Sequence, residues 1–268
     1  MFGAWHDNPE KYAEIYKKGV PFEHVVIPNF FQEEFAEKIL SEFPDPDETW
    51  WAYDNPFEQK FLFNNFSETH ANMKDVFSIL NSVSFANKVS VLTSVPNLEP
   101  DPLLHSAGLH SYTRNGKVDI HLDYTMHPQV NKERRISLMV YMSKGWNKSW
   151  GGSLQLWNSD LTDHTEIDTS IWNTAVFFKT SEDSYHGLPE PITCPPGVYR
   201  KVIGLYYLSD PRPETIANPR YRAELFPYPG KDIPDKLKAL YSIRKSRRLT
   251  PEDMADWPEW RKECGLDV

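Results

Sequence analysis

The chain has 268 residues and a mass of 31.2 kDa, which allows one large domain or two small ones. Hydrophobic residues make up 40% of it and aromatic residues 14%, so the composition excludes an intrinsically disordered or fibrous protein. The formal net charge of −9 removes the overall electrostatic attraction on which a general nucleic-acid binder depends, although a local basic patch stays open.

The two cysteines and the N-terminal sequence bear on location. Cys194 and Cys264 are too few for a disulfide framework and lack the paired spacing of a zinc site, which favours a reducing compartment. The first residues do not place a basic segment before an apolar one, and no later run approaches the roughly 18 apolar residues of a membrane span. We therefore expect a soluble, cytoplasmic protein with no membrane contact.

The first hundred residues are expected to be mostly helical. Asn8 can cap a first helix that Gly19 would end. Apolar residues at helical spacing predict three further helices, over residues 30–43, 67–81 and 85–93. The intervening segment 44–66 carries no clear period and is expected to be irregular.

Short β-type runs begin near residue 103 and predict six strands, over residues 109–112, 118–124, 135–142, 153–157, 175–179 and 201–208. Asn115 and Gly116, between the first two runs, predict a hairpin turn. In the third run, Leu138 lies on one face while Met139 and Tyr141 lie on the other. Many short strands of this kind favour a β-sandwich or jelly roll over a parallel sheet.

The chain is expected to form a single composite α+β unit with a mainly β core. Its three parts would be a helical support over 1–100, the β core over 101–210, and a Pro-rich and then helical C-terminal extension over 211–268. Residues 231–248 contain seven Lys and Arg against two Asp, a local charge of +5. Because aromatic interleaving and a matching motif are missing, we favour a solvated helix face over a nucleic-acid or membrane patch.

The sharpest candidate for chemistry is the pair His121 and Asp123. In a strand, residues two apart point to the same face, so both side chains could bind one metal ion. His186 follows another predicted strand and is placed to supply a third ligand. Two histidines and one carboxylate on one face suit Fe(II) and leave open positions for small ligands.

The pair alone is a weak signal, because the composition produces about one such His-x-acid pair by chance. His164 and Glu166 form a second pair, but they lie in a wholly polar stretch that is expected to be a loop. We therefore prefer His121 and Asp123, while a structural role for His121 stays open. The other histidines are expected to be structural: His6, His24, His70, His105, His110 and His127.

Other chemistries are less well supported. The sequence contains no serine nucleophile elbow, phosphate-binding loop, dinucleotide-binding glycine motif or zinc-protease helix motif. Gly151 and Gly152 predict a turn at the start of a strand and not a phosphate-binding loop. Cys194 has no adjacent base or helix N-terminus to activate it.

Four blocks now fall into a recognisable order: SYTRNGKVDIHLDY, RRISLMVYMSKGWNKSWGGSLQLW, YHGLPEP and YRKVIGLYYL. The order resembles the Fe(II)- and 2-oxoglutarate-dependent oxygenases, in particular the prolyl-4-hydroxylase-like branch, over about residues 105–208. PFEHVVIPNFFQEEFAEKILSEFP is similar to the N-terminal strand and helix of that branch. The resemblance implies a double-stranded β-helix, or jelly roll, with helices packed on its outer face.

The resemblance also implies roles for individual residues. The metal triad falls on His121, Asp123 and His186. The basic residue that grips the far carboxylate of 2-oxoglutarate falls on Arg200, and two cosubstrate-facing tyrosines fall on Tyr112 and Tyr141. From residue type alone, a core aromatic is the more frequent role for a tyrosine such as Tyr141 than a site residue. Arg134, His127, Trp146 and Trp150 flank the matched strands, and for these a surface or packing role is favoured over lining a pocket.

The implied activity is hydroxylation of an unactivated C–H bond in a prolyl or other amino-acid side chain or a small metabolite, with release of succinate and CO2. The implied cofactors are Fe(II), 2-oxoglutarate as cosubstrate and O2, with ascorbate as a candidate reductant. A peptide or small molecule is the expected partner, nucleic acid is not, and the oligomeric state stays open. The alternatives are a non-catalytic jelly-roll binding protein and a metal-dependent, non-oxidative enzyme.

Overall fold

The computed structural model describes residues 1–66 and 71–263. Its helices are α1 (Glu10–Lys17), α2 (Glu33–Glu42), α3 (Ala71–Leu80), α4 (Val83–Thr93), α5 (Pro213–Ala217), α6 (Asp235–Ser246) and α7 (Trp257–Glu263), with short 3-10 turns at Ala4–Asp7 and Lys148–Trp150. Its strands are β1 (His24–Ile27), β2 (Trp51–Asp54), β3 (Glu58–Phe63), β4 (Glu99–Pro100), β5 (Gly108–Tyr112), β6 (Lys117–Leu122), β7 (Glu133–Tyr141), β8 (Leu154–Trp157), β9 (His164–Ile167), β10 (Thr174–Lys179), β11 (Tyr185–Leu188), β12 (Arg200–Ser209) and β13 (Glu224–Phe226).

The helices predicted for the first hundred residues are confirmed as α1 to α4. In α3 the residues at helical spacing, such as Met73 and Phe77, are buried in the main core, as their periodicity predicts. The hydroxyl of Ser82 caps α4 by accepting a hydrogen bond from the backbone N–H of Phe85 at 3.1 Å. The start of the helix predicted over 67–81 lies outside the described residues, as do His70 and Cys264.

The strands form one antiparallel sheet that curls back on itself. Along the hydrogen-bonded path the strands follow the order β1-β10-β7-β12-β5-β3-β6-β11-β8-β9. Although β8 and β10 are far apart in this order, Leu154 and Leu156 of β8 share a buried cluster with Val176 and Phe178 of β10. Two layers of sheet therefore face each other across an interior, which is the jelly-roll arrangement.

Strand β7 shows how helices and sheet share the core. Leu138 and Val140 are buried in the cluster that contains the helices, whereas Met139 and Tyr141 face the inside of the curled sheet. The period of two in the sequence predicts this division, and the helices lie on the outer face as expected.

The irregular segment predicted over 44–66 is wrong, because it contains β2 and β3. Strand β3 enters between β5 and β6 and pairs with both, so the predicted direct hairpin is also wrong, although Asn115 adopts the expected left-handed turn at a φ of 67°. On β3, Glu58 and Lys60 point to the sheet interior and form an ion pair at 3.2 Å. Because these inward residues are charged, the sequence lacks the apolar alternation that predicts a strand.

The loop predicted around His164 is wrong as well, because His164–Ile167 is β9 at the end of the sheet path, paired with β8. The ring of His164 stacks on Trp157 with centroids 4.3 Å apart, and Glu166 is exposed. A strand at the edge can carry polar residues because only part of it is covered. The two side chains do not converge on a common point with other ligands among the described residues.

The C-terminal extension packs against the strand that carries His121. Strand β13 pairs with β6, so that Leu225 lies opposite His121. The hydroxyl of Tyr241 in α6 donates a 2.6 Å hydrogen bond to Asp119, and both groups are buried. Within the described residues, no helix is both long and apolar enough to cross a bilayer.

Replacing Asn173 with Gly should lower the free energy of unfolding by about 2–4 kcal/mol. The Asn173 side chain accepts from the backbone N–H of Phe31 at 3.0 Å and donates to its carbonyl at 2.8 Å, so both backbone groups would become unpaired and buried. Glycine tolerates the φ of 54° at this position, so the substitution adds no backbone strain and the change in stability reports the loss of the hydrogen bonds. Chemical denaturation measures the change.

The matched control is Asn29→Gly, which has a φ of 50° but is exposed. It should change stability by less than about 0.5 kcal/mol. Equal losses in the two variants would contradict the assignment of the effect to the Asn173 hydrogen bonds.

Candidate active site

His121, Asp123 and His186 converge at one point inside the curled sheet. Strand pairing places His186 of β11 directly opposite His121 of β6, and Asp123 follows β6 by one residue. The imidazole Nε2 atoms of His121 and His186 lie 3.7 and 3.4 Å from the Asp123 carboxylate, and one ligand atom of each residue lies within 4.8 Å of the others. The sequence-predicted triad is therefore brought together.

The two imidazoles are oriented by backbone carbonyls. Nδ1 of His121 lies 2.8 Å from the carbonyl of Asp119, and Nδ1 of His186 lies 2.9 Å from that of Ser184. A carbonyl can only accept, so Nδ1 carries the proton and Nε2 presents its lone pair toward Asp123. Both histidines thus have the tautomer that a metal ligand requires.

The electrostatics keep this set in its metal-binding protonation state. Burial lowers the pKa of His121, and it lowers the pKa of His186 to about 3. Burial would raise the pKa of Asp123, but the nearby Arg134 guanidinium outweighs it and brings the pKa to about 2. Two neutral imidazoles and one carboxylate therefore face each other at neutral pH.

Arg134 completes the carboxylate's surroundings, and its expected surface or packing role is wrong. Its Nη2 donates to Oδ2 of Asp123 at 2.5 Å and to the hydroxyl of Ser137 at 2.9 Å, while the residue is only 2% exposed. The guanidinium also lies 3.3 Å from the centroid of the Tyr206 ring, which stabilises a buried cation. Arg134 lies on β7, seven residues before Tyr141 and eleven after Asp123, and no local pattern in the sequence marks it as the partner of Asp123.

Arg200 lies at the start of β12 and is buried without an acidic partner. Its Nη2 donates to the hydroxyl of Thr169 at 2.8 Å, and its Nε has no hydrogen-bond partner among the described residues. No carboxylate in the described part of the chain forms an ion pair with it. A buried guanidinium of this kind is costly unless an anion binds it.

The two predicted cosubstrate tyrosines flank Arg200. Tyr112 is its strand partner on β5, with the guanidinium carbon 5.3 Å from the ring centroid, and Tyr141 of β7 lies 4.8 Å away. Burial raises the pKa of Tyr141 to about 12, so its hydroxyl stays protonated. Thr169, which positions Arg200, was missed because it follows a polar edge strand with no motif.

One cavity of about 470 Å³ inside the curled sheet is lined by the triad together with Arg134, Arg200, Tyr112 and Tyr141. His105 and His110, which were expected to be structural, also line its wall. Trp146 and Trp150 instead pack against each other, with ring centroids 5.2 Å apart, away from the cavity. The candidate site is therefore a single hollow with the triad and a free guanidinium facing the same space.

The family comparison identifies this part of the chain. A model described as the 2OG-Fe(II) oxygenase superfamily matches residues 107–208. Residues 107–208 are therefore similar to a 2OG-Fe(II) oxygenase domain. The matched range begins and ends within three residues of the range over which the sequence blocks resemble this superfamily, and the resemblance is confirmed.

Two curated relatives of the oxygenase domain are prolyl 3-hydroxylases. The chain is 26% identical to OGFOD1 from Mus musculus over 179 residues, covering 65% of this chain and 30% of the relative. It is 27% identical to OGFOD1 from Xenopus laevis over 202 residues, covering 71% of this chain and 36% of the relative. The chain thus spans about a third of the length of these relatives.

Solved structures of prolyl hydroxylases share the fold. A Trichoplax adhaerens prolyl hydroxylase, solved with a hypoxia inducible factor peptide fragment, matches with a TM-score of 0.53 at 13% identity, covering 77% of this chain and 94% of that one. A Pseudomonas putida prolyl-4-hydroxylase matches with a TM-score of 0.55 at 13% identity, covering 75% and 98%. The predicted double-stranded β-helix around the oxygenase site is confirmed.

Replacing Arg134 with Met should weaken metal binding at the triad by about 10–100-fold. Without the guanidinium, the pKa of Asp123 rises and its carboxylate loses the contact that fixes its orientation, so affinity should fall further as the pH is lowered toward 5. Titration with Co(II), followed by its visible absorbance across pH 5–8, measures the change.

The control is Arg114→Met, an exposed arginine whose guanidinium contacts the backbone carbonyl of Thr193 far from the triad. Its metal affinity should equal that of the parent protein. An Arg134→Met variant with unchanged affinity and unchanged pH dependence would rule out this role for the ion pair.

Proposed function

We propose that the chain is an Fe(II)- and 2-oxoglutarate-dependent dioxygenase that hydroxylates an unactivated C–H bond in a prolyl side chain of a peptide. The observation that carries the proposal is the convergence of His121, Asp123 and His186 in the same cavity as a buried, acid-free Arg200. A structural role does not account for Arg200, since a buried guanidinium without an acidic partner is costly unless an anion binds it.

The triad fits a divalent iron. Nε2 of each imidazole presents a lone pair, and Arg134 holds the Asp123 carboxylate through Oδ2 beside them, with Oδ1 3.7 Å from Nε2 of His121. Two imidazoles and one carboxylate on one face leave positions open for other ligands. When bound together at such a triad, Fe(II), 2-oxoglutarate and O2 supply the oxidising power for C–H hydroxylation and yield succinate and CO2.

Arg200 fits the far carboxylate of 2-oxoglutarate. Its guanidinium offers parallel donors to a planar carboxylate, and Thr169 holds it from the opposite side. The hydroxyls of Tyr112 and Tyr141 adjoin the same space. The protein would thereby fix one end of the cosubstrate and point its other end toward the triad.

Similarity to prolyl hydroxylases supports a prolyl side chain as the target, while a free amino acid or other metabolite is the second substrate class. The relatives include both 3- and 4-hydroxylases, so the proposal leaves the ring position to product analysis. No feature of the described residues favours the non-catalytic alternative. The cytoplasmic location stays a prediction that depends on the cysteine content.

Anaerobic addition of Fe(II) and 2-oxoglutarate should produce the weak visible charge-transfer band of the chelate, and Asp123→Ala should lose it because one ligand is gone. Oxygen should then drive succinate formation. The control is Glu166→Ala, which removes the exposed acid of the other His-x-Glu pair and should retain the band. A parent protein that never binds 2-oxoglutarate with metal present, or a band that persists in Asp123→Ala, would rule out the proposal.

Gly152→Ala should raise the KM for 2-oxoglutarate by about tenfold with little change in metal affinity. A Cβ at Gly152 would lie 3.0 Å from both Cδ and Nε of Arg200, so the guanidinium must move. Gly151→Ala is a matched control, because Gly151 has a similar φ of 78° with nothing within 4 Å of an added Cβ. Equal effects in the two variants would attribute the change to backbone strain and contradict the role assigned to Arg200.

A further inference from the structure

The basic stretch 231–248 divides into two groups in the structure. Five of its seven cations form ion pairs with carboxylates: Lys231 with Glu190, Lys236 with Asp256, Lys238 with Asp235, Lys245 with Glu224 and Arg247 with Asp253. The other two, Arg244 and Arg248, form no ion pair with any described residue, and both line the cavity that holds the triad. The charge that is not neutralised is therefore concentrated at the cavity.

A third arginine of the C-terminal extension joins these two. Arg222, which precedes β13, also lines the cavity, and its Nη1 donates to the carbonyl of Ser246 at 3.2 Å. This bond connects it to the end of α6, where Arg244 is located. Arg222 likewise has no carboxylate partner among the residues that the structure describes. We call Arg222, Arg244 and Arg248 the arginine mouth.

The arginine mouth includes a donor that lacks an acceptor. Nη1 of Arg244 is buried without a hydrogen-bond partner in the described part of the chain. Leaving a buried charged donor unpaired costs free energy, which an acceptor on a ligand would recover. The mouth is thus built to receive an anionic group.

The acidic residues of the cavity do not fully neutralise the arginine mouth, because Glu58 attracts the Arg244 guanidinium but, like the other acids of the cavity, is already paired with another cation. Glu58 pairs with Lys60 at 3.2 Å, and Asp123 pairs with Arg134 at 2.5 Å. At the rim, Asp54 pairs with Arg261 at 2.8 Å. The mouth therefore stays cationic on a protein whose net charge is −9.

Exposed aromatic rings border the same opening. Trp51 on β2 is 65% exposed and Tyr221, next to Arg222, is 53% exposed, and both line the cavity. Large exposed rings beside a cavity suit the apolar faces of an extended peptide. The combination of rings and guanidinium groups favours a peptide over a nucleic acid, which needs a longer unneutralised basic surface.

We propose that the arginine mouth selects peptide substrates that carry an aspartate or glutamate close to the residue that is hydroxylated. This inference deepens the proposed function and rests on it. Each guanidinium can bind a carboxylate with two parallel hydrogen bonds, so the extension, rather than the matched oxygenase domain, sets the charge preference.

The test uses the full-length protein with Fe(II) and 2-oxoglutarate. Pools of seven-residue peptides with a central proline carry Glu, Gln or Lys at the flanking positions, and mass spectrometry follows the +16 Da product. We expect kcat/KM for the Glu pool to exceed that for the Gln pool by about tenfold. Each of the three partly exposed ion pairs would contribute only part of this increase. The preference should shrink between 50 and 300 mM NaCl.

The variant that tests the residues is Arg222→Gln with Arg244→Gln and Arg248→Gln, which should bring the Glu-to-Gln ratio close to one. Its control, Lys231→Gln with Lys238→Gln and Lys245→Gln, removes the same charge from outside the cavity and should keep the ratio. Equal turnover of the Glu and Gln pools by the parent protein would overturn the inference whether or not the variants fold, and so would equal loss in both variants.

The outcomes separate this inference from the proposed function. If the parent protein fails to form the chelate band, the proposed function itself is wrong. If the parent protein forms the band and hydroxylates peptides without preferring acidic ones, the proposed function stands and only the inferred charge preference is wrong. A labelled oligothymidine that binds through the arginine mouth, together with no preference among peptides, would replace the peptide with a nucleic acid and overturn the inference.

Discussion

The register between β6 and β11 is the constraint on which the site depends. It sets His121 opposite His186, with ring centroids 4.3 Å apart. A slip of one residue would turn one imidazole to the other face of the sheet. Gly187 makes the close approach possible, because a Cβ there would lie 3.0 Å from the backbone of Ile120. The register shifts only beyond this pair, between His186 and Leu188.

Near this register the acids at the base of the cavity are held in ion pairs, whereas Arg200 has no acidic partner among the described residues. Asp123 has Arg134 and Glu58 has Lys60, so these groups can be buried without a ligand. Arg200 has only neutral partners, the hydroxyl of Thr169 and the rings of Tyr112 and Tyr141. The base of the cavity, where the acids are paired and Arg200 is not, is arranged around an anion from outside the chain.

Local patterns in the sequence predict those features of the fold and site that depend on residues close together in the chain. The alternation in β7 predicted its two faces, and the spacing of His121 and Asp123 predicted a shared face. Strand β3 was missed because its inward side chains, Glu58 and Lys60, line a wet cavity and break the apolar alternation that marks a strand. A strand that faces a binding site can carry polar and charged residues at its inward positions, whereas a strand that faces a core carries apolar ones there.

Arg134 and the arginine mouth were missed for another reason, since nothing local distinguishes them from surface cations. Arg134 is recognisable only when its carboxylate partner eleven residues away is placed beside it. Arg244 and Arg248 differ from their neighbours only in lacking an acidic partner in space. Pairing is a property of the folded chain, and residue composition reports only the sum of the charges.

The pairing of β13 with β6 has a practical consequence for how the chain can be divided. The boundary of the matched family ends at residue 208, which invites removal of everything after it. Such a truncation would strip β13 from the edge of the strand that carries His121 and leave the backbone groups of Ile120 and Leu122 without their partners. An unpaired strand edge is a template for pairing with another chain. The shortened protein would therefore be prone to aggregate through the exposed edge of β6.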